Sequence, residues 1–170
     1  MRTIGKTLRL LILGLWLGAA LFFGAAVAPN LFDVLRSAHL ANANELAGTI
    51  VTRLLAIINL AGFAISLVLI ATTYFANQVK GRLRRFGQMI SLVIMAIMTG
   101  VSHWVISARM LALRAVMQVP IDQIAHDDPR RIAFATLHGF SVTAMGLAIV
   151  AGLVAFVIIA GASLRGSNPA

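Results

Sequence analysis

Histidines and arginines are the side chains with which this sequence could do chemistry, because other ionisable residues are scarce. Histidine binds metals and carries protons near neutral pH, and arginine pairs with carboxylates and phosphates. One polar series in residues 99–114 recurs at spacings of three or four and comprises Thr99, His103, Ser107, Met110 and Arg114. Such spacing predicts a single stripe along one face of a helix.

A second set of polar residues lies in the stretch HDDPRRIAFATLHGFS, residues 126–141, which holds two histidines, two aspartates and two arginines. Asp128 followed by Pro129 is a favourable helix start, because aspartate caps the first backbone N–H groups and proline fits the first helical position. His138 and Ser141 then share one face of that helix. We expect this face to meet the first stripe.

Together the two sets predict one pocket. Its candidate binding residues are His103, Ser107, Arg109, Arg114, His138 and Ser141. Three interpretations stay open: a solute or anion site, a metal or haem site held by His103 and His138, and a structural lock between two helices. No catalytic residue is predicted, because the sequence lacks a metalloprotease H-E-x-x-H, a phosphate-binding glycine loop and a nucleophile elbow. We therefore expect a protein that is not an enzyme.

No cofactor is predicted, and haem and copper remain alternatives. Five methionines suggest copper, since thioether sulfur suits Cu(I), namely Met95, Met98, Met110, Met117 and Met145. However, no Met-x-x-Met array lies in a loop, and methionine commonly fills apolar helices. The absence of cysteine excludes disulfides and thiolate metal sites.

The elements that must position these residues are membrane helices. The chain is 60% hydrophobic and only 11% charged, with a mean hydropathy of +0.94, which is typical of an integral membrane protein. Its first partner is therefore the lipid bilayer. The net charge of +9 does not indicate nucleic-acid binding, because the basic residues form short clusters at span ends.

Four apolar runs are long enough to cross a membrane. They cover residues 8–28, 50–76, 86–108 and 137–160. The prediction is an all-α, four-helix membrane bundle that forms one domain over residues 1–170. Asn59, Gly62 and Ser66 share one face of the second span, and we expect that face to point into the bundle, because polar groups are costly in lipid.

Basic residues near span ends predict the orientation of the bundle, since lysine and arginine are retained in the cytoplasm. They cluster in residues 2–9 and 80–85 and recur at Arg165, so both termini and the second loop are expected to be cytoplasmic. All five acidic residues and all four histidines then lie outside. The predicted location is the cell (inner) membrane, with the chain crossing it several times.

Short helical extensions are expected on the outer side. Asn30 is predicted to cap a helix that runs through His39, and residues 110–118 are predicted to continue the third span as helix beyond the bilayer. These extensions would form a polar cap around the pocket.

Three segments carry a family resemblance: WLGAALFFGAAVAPNLF, SHWVISARMLALRAVM and FATLHGFS. In this order they resemble the family of small four-helix membrane proteins that includes human transmembrane protein 205. The resemblance implies a multi-pass membrane protein of unsettled biochemistry and supplies no reaction. One position departs from the pattern, because Ala108 stands where many relatives have a proline before the arginine at 109.

Three functions follow as hypotheses. The first is transport or handling of a small solute or ion through the outer His/Arg pocket. The second is a non-catalytic accessory role in a larger membrane complex, with a membrane-protein partner or a second copy of the chain. The third is haem or copper binding. Metal content, co-purifying proteins and vesicle uptake would distinguish them.

Overall fold

Four long helical rods make up the computed structural model, which describes residues 2–75 and 81–161. The elements are α1 (Arg2–Phe22), a π-helical segment (Phe23–Val27), α2 (Ala28–Ser37), α3 (Ala43–Phe75), α4 (Arg82–Gly100), a second π-helical segment (Val101–Ile106), α5 (Ser107–Met117), a 3₁₀ turn (Ile121–Gln123) and α6 (Pro129–Gly161). Each rod is long and apolar enough to cross a membrane. The predicted all-α fold with four such helices is confirmed.

The rods form a four-helix bundle in which chain neighbours are also spatial neighbours. Helix α1 packs against α3 and α6, and α4 packs against the same two helices on the other side. Arg9 Nη2, near the start of α1, donates to the hydroxyl of Thr73, near the end of α3, and Arg84 Nη1, near the start of α4, donates to the carbonyl of Gly161 at the end of α6 at 3.4 Å. These pairings join early residues of one helix to late residues of the next, so neighbouring rods are antiparallel.

Polarity is distributed as lipid requires, with polar side chains inside the bundle and apolar ones outside. Buried polar residues include Asn59, Ser66 and Thr99, each with no exposed surface, whereas Leu15 and Ile57 are about two-thirds exposed. A soluble bundle would show the opposite arrangement. The predicted inward face of the second span is confirmed, because Asn59, Gly62 and Ser66 are all buried.

Trp16 fills the middle of the bundle core, which also contains Leu13, Leu69, Leu92 and Met95. The core closes around this indole because the facing helix carries Gly62. A Cβ atom at residue 62 would lie 2.7 Å from the indole Nε1, closer than real Cβ contacts come. The glycine therefore permits the approach of α3 to α1.

The rods extend further than the predicted spans, mainly at one end of the bundle. Helix α3 begins at Ala43 rather than at residue 50, and α6 begins at Pro129 rather than at 137. The predicted extension of the third span is confirmed by α5, which ends at Met117 before Gln118 turns left-handed at φ 56°. At about 1.5 Å per residue, these rods exceed the ~30 Å hydrocarbon layer by several turns.

The prediction that Asn30 caps a separate helix is wrong. Residue 30 lies inside a continuous rod, and its side-chain Nδ2 donates back to the carbonyl of Ala26 at 2.8 Å. Proline lacks a backbone N–H and would break an α-helix at Pro29. The π-helical segment Phe23–Val27 accommodates it, because the wider turn re-pairs the preceding carbonyls.

We call the end of the bundle that holds α2, residues 38–42 and residues 118–128 the cap end. The opposite end, where Lys6, Arg9 and Arg84 lie, is the basic end. At the cap end the predicted start of α6 is confirmed, because Asp128 Oδ1 accepts the backbone N–H of Arg130 at 2.8 Å. Hydrogen bonds from the Arg130 side chain lower the pKa of the Asp128 carboxyl to about 2.

Candidate functional site

A cleft with a volume of about 450 Å³ opens at the cap end between α2, α3, α5 and α6. We call it the cap cleft. Its charged and ionisable lining residues are Arg36, Arg114, Arg131, His138 and Asp122. Its apolar lining includes the rings of Phe32 and Phe134 and the side chain of Met110. The cleft thus joins several cationic groups to an apolar floor.

Arg114 is the cation held most firmly in the cap cleft. Its Nη1 donates to the Thr49 hydroxyl at 3.3 Å and lies 3.8 Å from Glu45 Oε1. Its guanidinium carbon lies 5.1 Å from the centroid of the Phe134 ring, a cation–π distance. One buried donor of this oriented cation, its Nε atom, has no hydrogen-bond partner among the described residues.

Gly48 makes room for this arginine. A Cβ atom at residue 48 would lie 2.6 Å from Nη2 of Arg114. Any larger residue at this position must displace the end of the Arg114 side chain. The position of the cation therefore depends on a glycine in the facing helix.

Asp122, which lines the cap cleft, and its neighbour Glu45 tie the second connection to the start of α3. The backbone N–H of Ile121 donates to Glu45 Oε2 at 3.4 Å, and the backbone N–H of Glu45 donates to Asp122 Oδ2 at 3.3 Å. Asn44 Nδ2 donates to the other oxygen of Asp122. Asp122 therefore caps α3, and each of its carboxylate oxygens already accepts a hydrogen bond within the protein.

The remaining basic side chains of the cap cleft use few of their donors within the protein. Arg36 Nε donates to Asn44 Oδ1 at 2.8 Å, and Arg131 Nη1 donates to the carbonyl of Ile124. His138 is exposed where it lines the cleft. Further donors on these side chains are free to meet a bound anion.

The predicted site residues lie at several separate positions in the structure. Arg114 and His138 line the cap cleft together, whereas exposed Arg109 lines two shallow grooves beside Leu137. Five residues turn an α-helix by roughly 140°, so residues 109 and 114 of α5 face different directions. The expected convergence of all four residues in one pocket is not what the structure shows, and their binding roles remain predictions.

His103 lies in the second π-helical segment and does not line the cap cleft. Its ring is half-buried and meets the Trp104 ring edge-on, with 4.8 Å between centroids. The Nδ1 atom is buried and has no partner among residues 2–75 and 81–161. Ser102, three residues after Thr99, is the residue that lies fully inside the bundle on this face, whereas His103 is only half-buried.

Ser102 is the centre of a polar network that sequence reasoning missed. Asn59 Nδ2 donates to Ser102 Oγ at 3.0 Å, and Ser102 Oγ lies 3.5 Å from the Ser141 hydroxyl. Ser107 Oγ donates to the backbone carbonyl of Ser102 at 2.9 Å. Predicted residues Ser107 and Ser141 therefore surround Ser102 instead of lining the cap cleft. A signal for Ser102 was present in the sequence, since Thr99, Ser102, Ile106 and Met110 also recur at spacings of three and four on one helix face.

Arg9 is a second missed residue, because its charge suggested only an orientation signal. It is 6% exposed, and its Nη2 donates to the Thr73 hydroxyl inside the bundle. A signal for this burial was present, since Leu13, Trp16 and Ala20 follow residue 9 on the same helix face and are all buried. The basic end therefore contains an arginine within its core.

In the part of the chain that the structure describes, no group of three or more histidine and acidic side chains lies close enough to hold a metal ion. Residues 11–118 match the sequence profile of a family described as a domain of unknown function, DUF4149. This range contains Arg114 and ends before α6. No curated protein and no solved structure shows significant similarity to the chain.

Proposed function

The chain belongs to the DUF4149 family of unknown function, and we propose that this multi-pass membrane protein binds a small organic anion in the cap cleft and moves it across the membrane. One observation carries the proposal. Three arginines and a histidine line a cleft of about 450 Å³ that has a single acidic lining residue. Cavities of this size commonly hold small organic ligands.

The charge balance of the cleft favours an anion. Asp122 accepts hydrogen bonds from Asn44 and from the backbone of Glu45, and Glu45 itself sits 3.8 Å from Arg114. Arg36 and Arg131 pair only with neutral oxygens among the described residues. A carboxylate or sulfonate would therefore find arginine donors that the protein leaves unused.

The apolar lining favours an organic body on that anion. Phe32, Phe134 and Met110 face the same cleft as the cations. Inorganic ions gain nothing from such contacts, whereas an aromatic or aliphatic group is removed from water there. The ligand class that fits both features is a small amphipathic organic acid.

Buried polar groups below the cleft support movement of the ligand rather than binding alone. Ser141 lies one turn beyond His138 in α6, and the network of Ser102 and Asn59 adjoins it inside the bundle. Such groups offer hydrogen bonds to a solute that leaves the cleft for the bundle interior. The lysine and arginine clusters at the other end favour an outward-facing cleft in the cell membrane.

The resemblance to the family that includes human transmembrane protein 205 stays a prediction. It agrees with a multi-pass membrane protein and names no ligand. The proposed ligand class therefore rests on the residues of the cap cleft.

Binding is tested with 2-naphthoate and its neutral counterpart 2-naphthalenemethanol, using isothermal titration of the purified chain in mild detergent. We expect binding of the acid only, because the alcohol offers no charge to the arginines. The variant Arg114→Gln should weaken binding about ten-fold or more, since it removes a charge-assisted hydrogen-bond donor. Arg109→Gln is the matched control, because Arg109 lies outside the cap cleft. Equal affinities for acid and alcohol would contradict the proposal.

Transport is tested by adding labelled 2-naphthoate outside vesicles that contain the reconstituted chain and measuring the label that enters them. Uptake that fails in Arg114→Gln and persists in Arg109→Gln supports the proposal. Binding without uptake would instead favour the accessory role, which co-purification of a membrane partner would then examine. Metal analysis and the absorption spectrum of the same preparation test the haem and copper alternative.

A further inference from the structure

Arg9 is a buried cation at the basic end, far from the cap cleft. It lies in α1, is 6% exposed, and donates Nη2 to the hydroxyl of Thr73 in α3. Its Nε atom is buried and has no hydrogen-bond partner within the described residues. The guanidinium therefore has one neutral acceptor and one unused buried donor.

The groups around Arg9 do not balance its charge. Thr73 gives its own hydroxyl proton to the carbonyl of Leu69 at 2.6 Å and accepts a second hydrogen bond from Gln88 Nε2 at 2.7 Å. Gln88 has no exposed surface, and its Oε1 atom lacks a partner in the described ranges. These neighbours are polar but neutral, so no negative group within residues 2–75 and 81–161 compensates the positive charge of Arg9.

Other cations at the basic end are already engaged with backbone carbonyls. Lys6 Nζ donates to the carbonyl of Ala160 at 3.1 Å, and Arg84 Nη1 donates to that of Gly161 at 3.4 Å. Both bonds place positive charge at the carboxyl end of α6, where the helix dipole favours it. They also add to the positive field near Arg9.

No acidic side chain is placed to neutralise Arg9. The five acidic residues of the sequence are Asp33, Glu45, Asp122, Asp127 and Asp128. Asp33 belongs to the same rod and follows Arg9 by 24 residues, a separation of about 36 Å at the helical rise. The other four lie at or beside the cap-end connections, at the far side of the bundle.

A buried charge without a partner is costly, and an intramembrane arginine is normally paired. We propose that Arg9 binds a phosphate-type oxyanion at the basic end of the bundle. The Nε and Nη2 atoms form the edge of a guanidinium that pairs with two oxygens of one phosphate. In Arg9, Nη2 has a second hydrogen besides the one given to Thr73, and Nε is unused.

The oxyanion has two possible sources with the same chemistry: phosphate from solution and the headgroup phosphate of an acidic phospholipid. Arg9 follows Ile4, the first residue of its candidate span, by five residues. This separation is about 7.5 Å along the helix, within reach of the headgroup layer. The site is independent of the cap cleft, so either proposal can fail without the other.

The first experiment measures thermal unfolding of the delipidated full-length chain in detergent with inorganic phosphate or with chloride at equal ionic strength. We expect stabilisation by phosphate and an apparent Kd about ten-fold or more higher in Arg9→Gln. Arg53→Gln is the control, because Arg53 is an exposed arginine of α3, and it should match the unmodified chain. Should Arg9→Gln fail to fold, Arg9→Lys keeps the charge but loses two-point pairing, and weaker phosphate binding is expected there too.

The second experiment places the same proteins in nanodiscs of phosphatidylcholine with or without phosphatidylglycerol and counts retained lipids by native mass spectrometry. Loss of one phosphatidylglycerol in Arg9→Gln but not in Arg53→Gln identifies the lipid as the source. Phosphate stabilisation without lipid retention identifies the free ion. Equal responses of Arg9→Gln and the unmodified chain in both experiments, or equal stabilisation by chloride, would overturn the proposal.

Discussion

Replacing Gly62 by alanine should destabilise the bundle, although alanine is the better helix former. A Cβ atom at this position lies 2.7–2.8 Å from three atoms of the Trp16 indole. Ordinary contact begins at 3.4 Å, so the ring or the helix must move by about 0.7 Å. The indole cannot yield easily, because its Nε1 bonds to the carbonyl of Ile58 and its far edge lies 3.2 Å from the Cβ position of Gly152.

These contacts determine how much the substitution lowers the free energy of unfolding. Overpacking a core typically costs about 1–3 kcal/mol, and weakening the Trp16 hydrogen bond adds about 1 kcal/mol. We expect Gly62→Ala to lower the free energy of unfolding by about 2–4 kcal/mol. Circular dichroism during titration with sodium dodecyl sulfate measures this quantity for helical membrane proteins.

Gly146→Ala is the matched control, because Gly146 is also helical and nothing lies within 4 Å of its Cβ position. Its expected effect is neutral or stabilising by up to about 1 kcal/mol. Trp16→Phe combined with Gly62→Ala should cost less than the sum of the single changes, since the smaller ring relieves the contact. If Gly62→Ala unfolds at the same detergent fraction as Gly146→Ala, the argument from close approach is refuted.

Two further predictions concern the cap end. Gly48→Ala should displace the Arg114 guanidinium, which lies 2.6 Å from the added Cβ, and weaken 2-naphthoate binding about ten-fold while unfolding changes little; unchanged affinity would contradict this. Asp128 has a lowered pKa of about 2, so its contribution to stability is complete above the unfolded pKa of about 4 and is lost as pH falls towards 2. An acid titration followed by circular dichroism should show this loss in the unmodified chain and a smaller one in Asp128→Asn, and identical profiles would contradict it.

Much of the fold could be predicted from the sequence, because a membrane helix must be long, apolar towards lipid and polar only towards the bundle interior. Apolar runs gave the four rods, and the polar face of Asn59 and Ser66 correctly indicated the bundle interior. The start of α6 followed from Asp128 and Pro129, whose local chemistry specifies a helix start. Each of these predictions depended on short-range sequence alone.

The error about the pocket concerns position along the third rod. Thr99, His103 and Arg114 share one stripe in a regular repeat, but residues 103 and 114 are about 16 Å apart along the helix axis. Arg114 reaches the cap cleft, whereas His103 does not line it. The other error concerns Asn30, which was predicted to cap a separate helix, whereas the π turn before Pro29 lets the rod continue through residue 30.

The burial of Arg9 was missed for a different reason. The rule that basic residues at span ends are cytoplasmic uses only the position of an arginine along the chain. It does not consider which face of the helix carries that arginine. The buried positions of Leu13 and Trp16 reveal the face only when residue 9 is placed on the same helical wheel. Its partners Thr73 and Gln88 come from two other rods, so no local pattern could indicate them.

The third rod carries one inward face through the π-helical segment Val101–Ile106. Thr99, Ser102, Ile106 and Met110 follow one another at spacings of three and four and are all buried. Met110 also lines the cap cleft, next to Arg114. The packing surface of the bundle therefore continues without a break into the floor of the cleft, so a substitution at residue 110 changes helix packing and the shape of the cleft together.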